Sequence, residues 1–168
     1  MPSEFILGAS RFVSYKRLDV VIKAGELSGI PVVLAGGGPD ESRLRAIAAV
    51  ANVPVTFVAR PSTELLRAIY QRTLLYIFPP VEDFGIMPVE AMAAGAPVLA
   101  NRLGGASESV IDGVTGALFD PLDQTTMASS IDRALAVNRS LIADHTDRFS
   151  KQRFQDEIRE WVTHHAQT

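Results

Sequence analysis

Short apolar runs alternate along the chain with longer segments in which apolar residues recur every three or four positions. The runs FILGAS (5–10), PVVLAG (31–36), VPVTFV (53–58), LLYIF (74–78) and APVLAN (96–101) have the length and β-branched content of buried strands. Between them, segments near 18–28, 40–51, 62–72 and 88–94 predict helices. Leu18, Val21, Ile22 and Gly25 share one helical face, and Leu65, Leu66, Ile69 and the following Leu74 argue likewise for the third segment. A short helix near 105–111, a turn at DGVTG (112–116) and a short strand GALF (116–119) come next. From about 123 to 165 the chain reads as helical and more polar. Strand-helix alternation of this kind predicts an α/β fold, a parallel sheet covered by helices on both faces. No internal repeat, low-complexity tract or linker divides the 168 residues, so they read as one domain.

Composition narrows the function. With 47% apolar and 21% charged residues the chain is an ordinary globular one, and its net charge of -3 gives no general case for nucleic acid or an anionic membrane surface. It has no cysteine, which removes disulfides and thiolate metal sites. The opening MPSEFILGAS lacks the basic end and long apolar stretch of a secretory signal, and no run is long enough to span a bilayer. A cytoplasmic location is the expectation.

In a parallel sheet, ligands bind beyond the carboxyl ends of the strands, where loops lead into helix starts. SRFVSYKR (10–17) follows the first strand and brings Arg11, Lys16 and Arg17 to such a start. Cations are locally unhelpful at the positive end of a helix dipole, so they serve a bound anion or the loop is simply basic and solvated. AGGGPDES (35–42) sets three glycines between strand and helix, but Glu41 stands where a dinucleotide fingerprint needs its third glycine. VTFVAR ends without that fingerprint's acid, and no G-x-x-x-x-G-K-[ST] loop is present. The glycines read either as a tight turn or as a place of close backbone approach to a ligand.

The stretch VEDFGIMPVEAMAAGAPVLA (81–100) carries two glutamates eight positions apart. Pro79 and Pro80 stop the preceding strand, which puts Glu82 on the loop at the sheet's carboxyl edge. Pro88 suits a first helical position, and Gly95 with Pro97 ends the helix. The N–H groups of residues 84–87 are then free at the helix start. Glu90 falls in the first turn on this reading, where an acid also complements the dipole. A capping box would need Ser or Thr three residues earlier, and Met87 stands there. Two carboxylates beside open N–H groups suit a polyol, since acids accept hydrogen bonds from hydroxyls while amides bind anionic oxygens.

The run P-x-x-E-D-F-G-I-M-P-V-E-A-M-A-A-G-A-P-V-L-A resembles the E-x7-E segment of family 4 glycosyltransferases, retaining enzymes of the two-domain GT-B fold. SRFVSYKRLDVVIKA, VVLAGGGPDESRL, VTFVARPSTELL, that segment, NRLGGASESVIDGVTGALFDP and a helical tail follow the order of the family's C-terminal, donor-binding domain, over roughly residues 5 to 150. The resemblance implies a Rossmann-like parallel sheet, the C-terminal half of a GT-B glycosyltransferase. YKRLDVVIKA and EDFGIMPVEAMA most resemble mannosyltransferases of polysaccharide assembly. That implies a nucleotide-sugar donor, GDP-mannose first with UDP- or ADP-sugars as alternatives, and no metal cofactor.

Residue by residue, the resemblance implies that Arg11 and Lys16 grip the donor diphosphate. Glu82 would be the catalytic carboxylate at the transferred sugar, and Glu90 would hold the ribose hydroxyls. Phe84, Gly85 and Ile86 would offer N–H groups to sugar and phosphate, and Arg60, after Val58 and Ala59, would face the nucleobase. Glu108 in GGASE matches a recurrent acid of the family, although its place reads as a helix start. Ser10 stands where the family has Gly before Arg.

The family also carries an N-terminal acceptor domain, making its members about twice this length. The implied partner is that domain, in the parent chain or as a partner subunit, bringing the acceptor site and a peripheral membrane contact. It often brings a histidine near the transferred sugar, whereas His145, His164 and His165 lie in the polar tail, where they are expected to face solvent. The expectation is the donor-binding half of a retaining hexosyltransferase, inactive or nearly so alone. The alternative is a non-catalytic nucleotide-sugar-binding module, or one subunit of a split enzyme.

Overall fold

Apolar runs with no polar face must be covered on both sides, and the tertiary fold does this with one sheet between two helical layers. The structure, a computed structural model, describes residues 1–165; the last three residues of the expected tail lie outside them. The strands are β1 (Ile6–Arg11), β2 (Val32–Gly37), β3 (Val55–Ala59), β4 (Leu75–Phe78), β5 (Val98–Asn101) and β6 (Gly116–Phe119). All pair in parallel, in the order β3-β2-β1-β4-β5-β6. This is the doubly wound Rossmann order, whose direction reverses between β1 and β4.

The helices are α1 (Leu18–Ser28), α2 (Glu41–Val50), α3 (Thr63–Arg72), α4 (Ile86–Ala93), α5 (Ala106–Ser109), α6 (Gln124–Leu135), α7 (Arg139–Ile142) and α8 (Lys151–His165). One face of the sheet buries Ile6, Leu34, Ile77 and Phe119 against Val21 and Ile22 of α1, Leu44 of α2 and Ile131 of α6. The other buries Leu7, Val33, Tyr76 and Val98 against Ile69 and Tyr70 of α3 and Ala91 and Met92 of α4. In α3 the buried stripe is Leu66, Ile69 and Tyr70, while Leu65, expected on that face, is 45% exposed. Residues 66, 69 and 70 span an arc of about 100°, and Leu65, one turn before Ile69, lies just outside its edge.

The tail is helical as expected and returns to the sheet's second face. Arg139 donates to the carbonyls of Thr73 (2.6 Å), Leu74 (3.4 Å) and Gln71 (3.3 Å), filling acceptors left open where α3 ends. A 3-10 segment, Ala143–Phe149, then packs beside α4. α8 has no buried residue. Among the described residues no helix is long and apolar enough to cross a membrane.

Candidate functional site

The reversal of strand order opens a crevice between the carboxyl ends of β1 and β4. The basic loop leaves β1 and the acidic segment leaves β4, so two parts of the sequence 66 residues apart meet there: Lys16 is ion-paired with Glu82.

On the β1 side, Arg11 ends the strand with its side chain exposed and Nη2 3.4 Å from the Tyr15 hydroxyl. A 3-10 turn, Ser14–Lys16, buries Lys16. Arg17 takes a left-handed conformation (φ 52) to start α1, and its guanidinium lies 3.6 Å from Asp19. The three cations of this loop thus separate: Arg17 is held by its own helix, Lys16 by Glu82, and Arg11 reaches toward solvent.

The glycine loop after β2 owes much of its composition to packing. A Cβ at Gly36 would lie 1.8 Å from the Ser10 carbonyl oxygen, and one at Gly38 would lie 2.5 Å from that of Phe12. Those glycines let β2 and its loop press against β1 and the residue after it, which favours the tight-turn reading for them. Gly37 instead faces the stem of Arg60, with its would-be Cβ 3.2 Å from Cγ. Arg60 has a positive φ of 43, and its N–H donates to the Gly36 carbonyl at 2.8 Å. Arg11, Gly37, Arg60, Leu66 and Met87 surround a hollow of about 400 Å³.

On the β4 side α4 starts two residues earlier than the sequence suggests. Gly85, with φ 82, is its N-terminal cap, Ile86 its first residue, and Pro88 its third. Proline is tolerated there because the first turn has no use for its missing N–H. The N–H groups of Ile86 and Met87 therefore carry the positive end of the helix, and no side chain caps them. Glu90 correspondingly lies beyond the first turn, so complementing the dipole no longer accounts for it. Phe84 is 49% exposed and meets Phe149 edge-on at 5.9 Å, while Ile86 is 63% exposed.

Glu90 is exposed beside a groove of about 340 Å³ between α3 and α4, lined also by Pro61, Leu66, Arg67 and Tyr70. Tyr70 is 2% exposed, and its hydroxyl makes no well-formed hydrogen bond among the described residues. Burial first, and then the nearby Glu90 charge, push the Tyr70 hydroxyl above its ordinary pKa, so it stays protonated and able to donate. Beneath it the Tyr76 hydroxyl donates to the Ala9 carbonyl at 3.1 Å.

These hollows share walls. Met87 lines both the one holding Lys16 and Glu82 and the one holding Arg11 and Arg60; Leu66 and Pro61 line the latter and the groove at Glu90. Arg11, Lys16, Arg60, Glu82, Phe84, Gly85, Ile86 and Glu90 therefore lie along one continuous surface at the carboxyl edge of the sheet. Glu108 is exposed in the first turn of α5, and His145, His164 and His165 are exposed in the tail. Among the described residues no three His, Asp or Glu side chains converge as metal ligands.

Sequence reasoning missed what holds Glu82. The Gly105 N–H donates to the Glu82 carbonyl at 2.7 Å. A Cβ at Gly105 would sit 2.1 Å from the Asp83 carbonyl oxygen, and one at Gly104 2.7 Å from that of Glu82. Asn101 donates from Nδ2 to the Pro79 carbonyl (2.9 Å) and accepts from the Leu103 N–H (3.0 Å), tying the ends of β4 and β5 together. The paired glycines of NRLGG were the available signal.

A family model, glycosyl transferases group 1, matches residues 1–155. The chain belongs to this family. It is 35% identical over 163 residues to a D-inositol 3-phosphate glycosyltransferase of Mycobacterium sp. (strain KMS), covering 89% of this chain and 37% of that protein. It thus spans little more than a third of the length of the curated relatives it matches. Among solved structures, sucrose-phosphate synthase from Thermosynechococcus elongatus is 28% identical with a TM-score of 0.75, covering 88% of this chain and 40% of that one. The pneumococcal O-GlcNAc transferase GtfA, in complex with UDP and GlcNAc, shares the fold with a TM-score of 0.78 at 21% identity, covering 95% of this chain and 35% of that one. The fold is the Rossmann-like half of a GT-B glycosyltransferase.

Proposed function

We propose that this chain is the donor-binding domain of a retaining hexosyltransferase, holding a nucleotide-sugar along the surface from Glu82 to Glu90. The observation that carries the reading is the meeting of the β1 and β4 loops at the strand-order reversal, where Arg11 and Lys16 adjoin open N–H groups and two glutamates. Arg11, Lys16 and the N–H groups of Phe84, Gly85, Ile86 and Met87 bind the diphosphate. The groove at Glu90 takes the ribose, whose hydroxyls donate to the carboxylate. Arg60 and Leu66 flank the base, and Glu82 accepts hydrogen bonds from the hexose at the reacting end. The acceptor is brought by a further domain, in the same polypeptide or another.

For the donor, the wording of YKRLDVVIKA and EDFGIMPVEAMA favours GDP-mannose, whereas GtfA was solved with UDP. Calorimetric titration with GDP, UDP, ADP and their sugars separates them. Lys16→Ala and Arg11→Ala are each expected to weaken the preferred nucleoside diphosphate by about 1.5–3 kcal/mol, the scale of charge-assisted hydrogen bonds. Glu90→Ala is expected to weaken the nucleoside and its diphosphate alike, because the ribose contact is common to both. If both basic variants bind the diphosphate as the parent does, the phosphate assignment is wrong.

A further inference from the structure

The cleft holds an ion pair of its own. Lys16 is 7% exposed, with its ammonium 5.2 Å from the centre of the Tyr15 ring and 5.9 Å from that of Phe78. Aromatic faces alone compensate a buried charge only in part. Here the counter-charge is Glu82, whose side chain is 25% exposed and which is the acid paired with Lys16 among the described residues. On the proposed function, the carboxylate thus occupies the position at the ammonium that a donor phosphate oxygen would need.

We infer that Glu82 is an internal competitor for the donor's phosphate: Lys16 holds the carboxylate before binding, passes to the diphosphate, and so releases Glu82 to the sugar. This rests on the donor-cleft reading above and adds to it an order of events. A nucleoside diphosphate without its sugar takes Lys16 and leaves Glu82 unpaired beside new negative charge. An intact nucleotide-sugar offers hydroxyls in return, so the exchange favours the donor over the nucleotide that leaves after transfer. Lys16 is on this account a positioning residue for Glu82 as well as a phosphate ligand.

The test depends on a sign. A residue that only contacts ligand weakens binding when altered, but removal of a competitor strengthens it. Glu82→Gln keeps the shape and removes the charge. It is expected to tighten the nucleoside diphosphate by about 3–10-fold, the scale of one partly exposed charge pair. The nucleotide-sugar should gain less or lose affinity, and the nucleoside should be unchanged. In a Lys16→Gln background the gain from Glu82→Gln should disappear, because there is no ammonium left to release. The parent's titration with the diphosphate reads the donor-cleft assignment by itself, and no binding there overturns both. Binding by the parent with equal or weaker binding by Glu82→Gln, or the same gain in the Lys16→Gln background, overturns the exchange alone.

Discussion

The 168-residue chain by itself is expected to bind its nucleotide-sugar and yet transfer the sugar at a very small fraction of a complete enzyme's rate. Donor and acceptor must be held in register for group transfer, and that orientation accounts for about 7–11 kcal/mol of barrier lowering. In the proposed function the surface from Glu82 to Glu90 organises one reactant. In our proposal the wall that organises the other belongs to a further domain, in keeping with a chain that spans 37% of a curated relative. Hydrolysis of the donor is the reaction left, because water needs no second wall. Supplying the acceptor domain, fused or as a separate chain, should restore transfer, and Glu82→Gln should abolish the restored activity. Radiolabelled donor with lipid-linked and oligosaccharide acceptors measures this. Rapid turnover by residues 1–168 alone would contradict it.

Gly105→Ala is expected to damage the fold and the site together, with a binding loss on the scale of a lost charged contact. Gly105 has φ -63 and ψ -23, which alanine adopts freely, so the effect is one of space. The added methyl would stand 2.1 Å from the Asp83 carbonyl oxygen and 2.5 Å from Phe84 Cα, both backbone atoms with no rotamer to change. The Glu82–Phe84 segment must move away, and the bond from the Gly105 N–H to the Glu82 carbonyl stretches or breaks. Overpacking and the lost hydrogen bond together should cost about 2–4 kcal/mol in urea unfolding. Displacing Glu82 and Phe84 should weaken the nucleotide-sugar by about tenfold to a hundredfold, a loss of ~1.4–2.7 kcal/mol. Calorimetry well below the variant's unfolding temperature keeps the two effects apart. A Gly105→Ala protein that unfolds and binds like its parent would show that the loop is not held this way.

Much of the fold was legible because most strands are buried on both faces and most helices that cover the sheet are buried on one, β3 and α8 being the more exposed exceptions. Those demands write different periods into the sequence, and five apolar runs with helical segments between them led directly to the parallel sheet. Boundaries were less legible. Proline suits a first helical position, which puts the start of α4 at Pro88, but Gly85 begins the helix by adopting a positive φ that the sequence permits without demanding. Leu65 shares helical spacing with Ile69, which suits the buried face, but packing against the sheet buries Tyr70 and leaves Leu65 exposed.

The residue types of the candidate site were equally readable: basic residues after one strand, acids around a helix start after another. Their combination was legible only through the family resemblance, which assigns them to one donor, and not from the residues themselves. Nothing in SRFVSYKR or VEDFGIMPVE states that they adjoin, and alternation of strands and helices alone admits several strand orders. The order β3-β2-β1-β4-β5-β6 decided it, by making β1 and β4 neighbours with both carboxyl ends at one edge. Side-chain pattern along a chain records burial, a local property of each segment, so the sequence by itself determined the elements and their buried faces. Which loops meet depends on contacts among segments far apart in the chain, and only the tertiary structure could bring Lys16 to Glu82 and press Gly105 against Asp83.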